Sequence, residues 1–133
     1  MTNLELIAGA LRKLNVINEI QTPSAEQGAK CLEELNDMME QWEEDGVKLQ
    51  YYAQTDTSAT FPCPAYTNAG VRAALAIRVA VDFGASVSVE LAAEYDSGWS
   101  TICRKAINSQ IIEASMSYLP RVNGRRGNIL NDI

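Results

Sequence analysis

TPSAEQGAKCLEELNDMMEQWEEDG, residues 22–46, is the stretch whose reading decides the fold. Leu32, Leu35, Met39 and Trp42 recur at three- and four-residue intervals, which places them on one side of a helix. Glu33, Glu34, Asp37, Glu40, Glu43, Glu44 and Asp45 occupy the rest of its circumference. Thr22 is the expected N-cap, with Pro23 at the first helical position, where a missing N–H costs nothing. Gly46 is the expected stop, since it accepts a left-handed conformation. Acids in the last turn oppose the helix dipole, so Glu43, Glu44 and Asp45 suit a role outside folding or a plainly solvated face.

Helices are expected on both sides of this one. The first runs from Thr2 to Leu14, with Thr2 and Glu5 forming a capping box, Leu4, Ile7, Ala8, Leu11 and Leu14 on the apolar face, and Arg12 and Lys13 in the last turn. The third runs from Asn68 to Phe83, ends at Gly84, and is apolar on most sides, as suits the middle of a bundle; Arg78 and Asp82, four apart, are spaced to pair. The fourth starts near Ser86 and continues to Tyr118, with a bend expected at Asp96-Ser97-Gly98 and Leu91, Tyr95, Ile102, Ala106 and Ile107 facing the core. Between the second and third helices, residues 47–64 alternate in the period of a half-buried strand before a proline-bounded run, Phe61-Pro62-Cys63-Pro64. This insert reads as a β-hairpin or a long loop, serving either as a connector or as an arm to a neighbouring subunit. The expected fold is all-α: a bundle of about four helices over residues 1–119, with this insert and an extended C-terminal tail, residues 120–133.

A chain of 133 residues makes one domain, burying roughly two-thirds of its unfolded surface without needing disulfide or metal. Cys31, Cys63 and Cys103 are odd in number and widely spaced, which predicts reduced thiols packed as small apolar groups. A polar N-terminal helix and the charges within residues 71–83 predict a soluble intracellular product with no signal peptide or membrane span. The net charge of −6 is uneven: residues 1–66 hold eleven acids and four bases, residues 67–133 six acids and seven bases. An acidic first half argues against a phosphate-gripping surface there and suits either solvation or a basic partner.

Catalytic signatures are missing. The chain has no histidine, no CxxC pair and no glycine-rich phosphate loop. Its carboxylate pairs, such as Glu40 and Glu44, fall on a crowded face instead of in the apolar pocket that would raise a carboxyl pKa. No catalytic, cofactor or metal residue is therefore assigned. The tail is the sharper candidate: Arg121, Arg125 and Arg126 among small and polar residues, followed by Ile129 and Leu130, suit a segment that orders on binding, with a frayed terminus as the plain alternative. Arg104 and Lys105 extend that basic side. Trp42 reads as core; Trp99, off the apolar line of its helix, reads equally as core or as a subunit contact, a role to which Tyr51 and Tyr52 of the insert are also assigned.

Three blocks taken together resemble the head–tail connector (adaptor) proteins of tailed bacteriophages, especially the packaged-DNA stabilisation proteins of short-tailed phages. They are ALRKLNV at 10–16, LEELNDMM at 32–39 followed by Trp42 and DGV at 45–47, and ALAIRVA at 74–80 ending in Phe83-Gly84. Relatives commonly carry proline where this chain has Val81. The resemblance implies a homo-oligomeric ring, usually of twelve copies, below the portal protein at the head–tail junction of the virion, assembled in the host cytoplasm. Such a ring extends the DNA channel, retains packaged DNA without sequence-specific binding, and gives the tail (nozzle or tail-completion) protein its platform. Mapped onto this chain, Glu33, Glu40, Glu44 and Asp45 become the acidic lumen or surface face, and Arg121, Arg125, Arg126, Ile129 and Leu130 the portal contact. The competing classes are a small helical DNA-binding regulator, which a gel shift at low salt would reveal, and a virion-associated cell-wall hydrolase, testable by zymography with Glu40→Gln.

Overall fold

The computed structural model describes residues 1–118, with side chains to Ser109. Four α-helices account for most of it: α1 (Asn3–Lys13), α2 (Ala25–Glu44), α3 (Asn68–Val79) and α4 (Val89–Tyr118). A short 3-10 turn, Ala65–Thr67, leads into α3. The all-α expectation is met.

Local chemistry sets the helix ends. The Thr2–Glu5 capping box forms as expected: the Thr2 hydroxyl accepts from the Glu5 N–H at 3.1 Å and Glu5 accepts from the Thr2 N–H at 2.9 Å. In α2 the cap is Ser24, not Thr22, and Pro23 precedes the helix. Ser24 wins because Gln27 lies three residues on and closes a reciprocal pair at 3.2 and 2.9 Å, a partner that Thr22 lacks. At the other end Gly46 takes φ +97°; its N–H reaches the Glu43 carbonyl and the Val47 N–H reaches that of Trp42, so the last carbonyls of α2 are satisfied. Asn15 closes α1 by the same device at φ +59°. The regular part of α3 stops at Val79, four residues before the expected end, and turns continue to a matching stop at Gly84, φ +65°. Helix α4 begins at Val89, its first turn capped by the Ser88 hydroxyl at 3.1 Å from the Leu91 N–H.

Helix α3 is the central member and packs on each of the other three, most extensively on α4. Gly70, Val71, Ala73, Ala74, Leu75, Ala76 and Val79 are all buried, which is why its sequence has only a thin polar stripe. Around it lie Leu6, Ile7 and Leu11 of α1, Leu35, Met38 and Met39 of α2, and Leu91 and Ile102 of α4. Two expected core members are exposed: Val81, beyond the end of α3, and Ile107, which turns off the buried line of α4.

Helix α4 runs through Gly98 as one continuous helix, and the glycine there makes a close packing contact. Gly98 meets Gly70 of α3 backbone to backbone. A methyl on Gly98 would lie 2.8 Å from the Gly70 nitrogen, and one on Gly70 would lie 2.9 Å from the Gly98 carbonyl carbon. This crossing lies within the most extensive helix–helix contact of the described residues, that of α3 with α4.

Arg78 and Asp82 do not pair with each other. Each crosses to α2, which lies alongside: Arg78 donates to Glu34 at 2.8 Å and Lys30 lies 3.8 Å from Asp82, while Lys30 and Glu34 are 3.5 Å apart. Asp82 lies past the end of α3, off the helical register that an i,i+4 pair needs. The Arg78 hydrogen bond holds the Glu34 carboxyl below the usual range. A folded-state pKa below the unfolded value adds stability above the ordinary carboxylate range and loses it as pH falls through the folded value. Arg78→Met is therefore expected to cost about 1 kcal/mol at neutral pH, a half-exposed pair being partly screened. In urea titrations the gap from the unsubstituted protein should shrink as pH falls through the folded-state pKa of Glu34.

Of the two readings of residues 47–64, the long loop holds and the β-hairpin does not form. There is no strand among the described residues, and the insert is an extended loop with one isolated antiparallel bridge between Thr60 and Thr2. Gln50 at φ +63° breaks the alternation after Leu49, so the strand-like period serves only to bury Val47 and Leu49. The loop's backbone is satisfied by helices instead of by a second strand. The Asn3 and Leu4 N–H groups donate to the Ala59 and Thr57 carbonyls at 2.9 and 2.8 Å, and the Phe61 N–H donates to Met1 at 2.9 Å.

Candidate functional site

The outer face of α2 and the loop laid across it make the most distinctive surface. Leu32, Leu35, Met39 and Trp42 are buried, so the same helix turn that sends them inward sends Glu33, Asp37, Glu40, Glu43 and Glu44 outward, with Asp45 following at the cap. All six acids are exposed, and the last turn of α2 has no basic residue. The four residues assigned to the acidic face, Glu33, Glu40, Glu44 and Asp45, thus share one exposed ridge.

Asn36, between that ridge and the core, clamps the loop. Its amide donates to the Gln54 carbonyl at 2.9 Å and accepts from the Gln54 N–H at 2.8 Å, as a neighbouring strand would. The Tyr51 hydroxyl donates to the same Asn36 oxygen. Gln54 is itself buried: its side chain accepts from Asn3 at 2.9 Å and donates to the Tyr52 carbonyl at 2.8 Å. Tyr51 is therefore half-buried, its ring 6.1 Å from Phe61 and its phenol pKa pushed up by burial. Tyr52 is 66% exposed. With Glu40, Glu43 and Ala53, the two tyrosines border a shallow cleft of about 270 Å³. Tyr52 is placed as a contact residue would be; Tyr51 is held by the chain's own clamp.

Trp99 lies in an aromatic group of its own chain, 4.7 Å from Trp42 between ring centroids and 6.3 Å from Tyr95. It is only partly buried, packed beside the buried Trp42. Arg121, Arg125, Arg126, Ile129 and Leu130 lie outside the described residues.

A second surface combines residues that the sequence separates. Lys48 and Gln50 of the loop, Pro64 and Tyr66 of the turn before α3, and Lys105 and Ser109 of α4 border a cleft of about 420 Å³. The Lys105 ammonium sits 4.9 Å above the Tyr66 ring centre. Lys105 is legible as basic in the sequence, but nothing within 40 residues of it points to Lys48.

The reactive groups are quiet. All three cysteines are free; burial raises the Cys31 thiol to about 11 and the Cys63 thiol to about 12, and it also raises Cys103, so these are protonated, small apolar groups at neutral pH. Glu34 and Asp56 are held below the carboxylate range by hydrogen bonds from Arg78 and Ser58, the opposite of what a general acid needs. No group of three or more cysteine or carboxylate side chains suited to a metal occurs among the described residues. No helix there is long and apolar enough to cross a membrane. Comparison with known protein families and with curated protein sequences finds no match to this chain.

Proposed function

We propose that the chain is a structural virion protein, a head–tail connector of a tailed bacteriophage that forms a ring below the portal. One observation carries the reading: the three sequence blocks that resemble connector proteins fall, in order, on consecutive parts of one helical body. The first closes α1, the second forms the buried stripe and acidic ridge of α2, and the third is the core of α3. An exposed, uncompensated row of acids suits the wall of a DNA channel. It offers no cations to replace condensed counterions, so the duplex passes without being gripped. The ring would retain packaged DNA and receive the tail protein on its far side. Copies would meet through exposed groups such as Tyr52 and the accessible part of Trp99.

The portal contact is assigned to Arg121, Arg125, Arg126, Ile129 and Leu130, arginines meeting carboxylates bidentately and the aliphatic pair filling a pocket. Light scattering after size-exclusion chromatography, with and without purified portal, tests the ring. The expected result is a closed oligomer, usually twelvefold for such connectors, at least when the portal is present. A single subunit under both conditions rejects the assignment. Truncation after Leu119 is expected to leave the helical circular dichroism intact and to abolish portal binding; unchanged binding removes the tail from the contact.

A further inference from the structure

We infer that the cleft between Lys48 and Lys105 is a binding site for a phosphate monoester. Several observations converge on it. Of the four clefts described, it alone is lined by cations with no acid: Glu5 and Glu19 border one, Glu40 and Glu43 another, and Glu94 the third. In a chain with a net charge of −6, an acid-free basic cleft runs against the overall composition. The intramolecular ion pairs of the described residues employ Lys13, Lys30 and Arg78, so neither cleft lysine has a carboxylate partner among the described residues. Lys105 is nonetheless positioned, held over the Tyr66 ring, so part of the entropy of fixing a long side chain is already met.

The backbone bends to make the rim. Gln50 adopts φ +63°, a left-handed conformation that costs a residue with a Cβ of order 1 kcal/mol or more. Lys48, Leu49 and Gln50 of this turn all border the cleft, as does Tyr66. The volume, about 420 Å³, falls in the range of small-molecule sites and exceeds what a bare phosphate ion fills.

The donor set selects the ligand. Two ammonium groups act as point charges suited to a compact dianion, whereas the flat fork of arginine suits carboxylates. Tyr66 and Ser109 add hydroxyl donors to the lining, and Leu49, Pro64 and Ala106 add an apolar wall for the organic group that bears the phosphate. A phosphodiester in a duplex has one charge per phosphate and a shape too broad for such a cleft. The commitment is therefore to a terminal phosphate on a small organic molecule, and it does not depend on ring assembly.

Amide chemical shifts of the full chain, followed by NMR at pH 7.5 and constant ionic strength, test it. Inorganic phosphate, adenosine monophosphate, a blunt DNA duplex without terminal phosphates, and chloride are titrated separately. Saturable shifts at residues 48–50, 64–66 and 105–109 are expected with phosphate and, at lower concentration, with the monophosphate. Lys48→Gln with Lys105→Gln should weaken both by about a hundredfold, each lost charged hydrogen bond being worth about tenfold, while the spectrum stays dispersed. Lys13→Gln, at a different cleft, should leave binding unchanged. Absence of saturation, an equal response to chloride, full binding by the double variant, or a duplex that binds this cleft as tightly as the monophosphate would each overturn the inference.

Discussion

Gly98→Ala is expected to destabilise the protein by about 2–3 kcal/mol, although the same exchange in an exposed helix interior stabilises by about 1 kcal/mol. The reversal comes from what faces Gly98. The added methyl meets the backbone of Gly70, with the Gly70 nitrogen 2.8 Å away, instead of a side chain that can swing aside. Ordinary carbon contacts lie near 3.5–4.0 Å, so α3 and α4 would have to part by about 1 Å along their whole shared face. That face includes Ile102, fully buried and packed against Gly70, so packing is lost beyond the site of substitution. Gly28→Ala in α2 is the matched control: its methyl would lie 3.7 Å from the Thr57 side chain, an ordinary contact, and a gain of about 0.5 kcal/mol is expected. Urea denaturation of the two variants checks both signs. Equal and small effects would show that the crossing is looser than the glycine contact implies.

Asn36→Ala is expected to cost about 2–3 kcal/mol and to free the loop before the helices melt. The substitution removes the partner of the Gln54 N–H, the Gln54 carbonyl and the Tyr51 hydroxyl together. Each part-buried polar group left unpaired costs about 1–3 kcal/mol, reduced where water can enter as the loop lifts. Hydrogen exchange at residues 51–57 should accelerate by about tenfold or more, while amides of α3 change only with global stability. Asn36→Asp separates the roles of its two ends: it keeps the acceptor for Tyr51 and the Gln54 N–H but loses the donor to the Gln54 carbonyl, so an intermediate effect is expected. Uniform acceleration across the chain would instead mean that the loop and the bundle unfold as one unit. For the proposed connector, release of the loop also displaces Tyr52 and the border of the cleft beside Glu40 and Glu43.

Short-range chemistry was readable from the residues alone. The Thr2–Glu5 box, the glycine stops at 46 and 84, the buried stripe of Leu32, Leu35, Met39 and Trp42, and the apolar girth of α3 all follow from spacing within a few residues. That was enough to determine an all-α bundle with an acidic ridge, because a capped, periodic helix needs only its own sequence to declare which side it buries. Tertiary structure decided what local pattern could not. Val47, Leu49 and Tyr51 alternate like a strand, yet Asn36 of α2 supplies the hydrogen bonds a second strand would have given, and the loop needs no hairpin. Gly98 reads as a helix weakness until Gly70, 28 residues earlier, is seen against it. Arg78 exchanges its neighbour Asp82 for Glu34, and Lys48 finds Lys105 across one cleft. Each of these pairings joins residues far apart in the chain, and their partners are chosen by how the helices pack, a property carried by the whole core and by no single stretch of sequence.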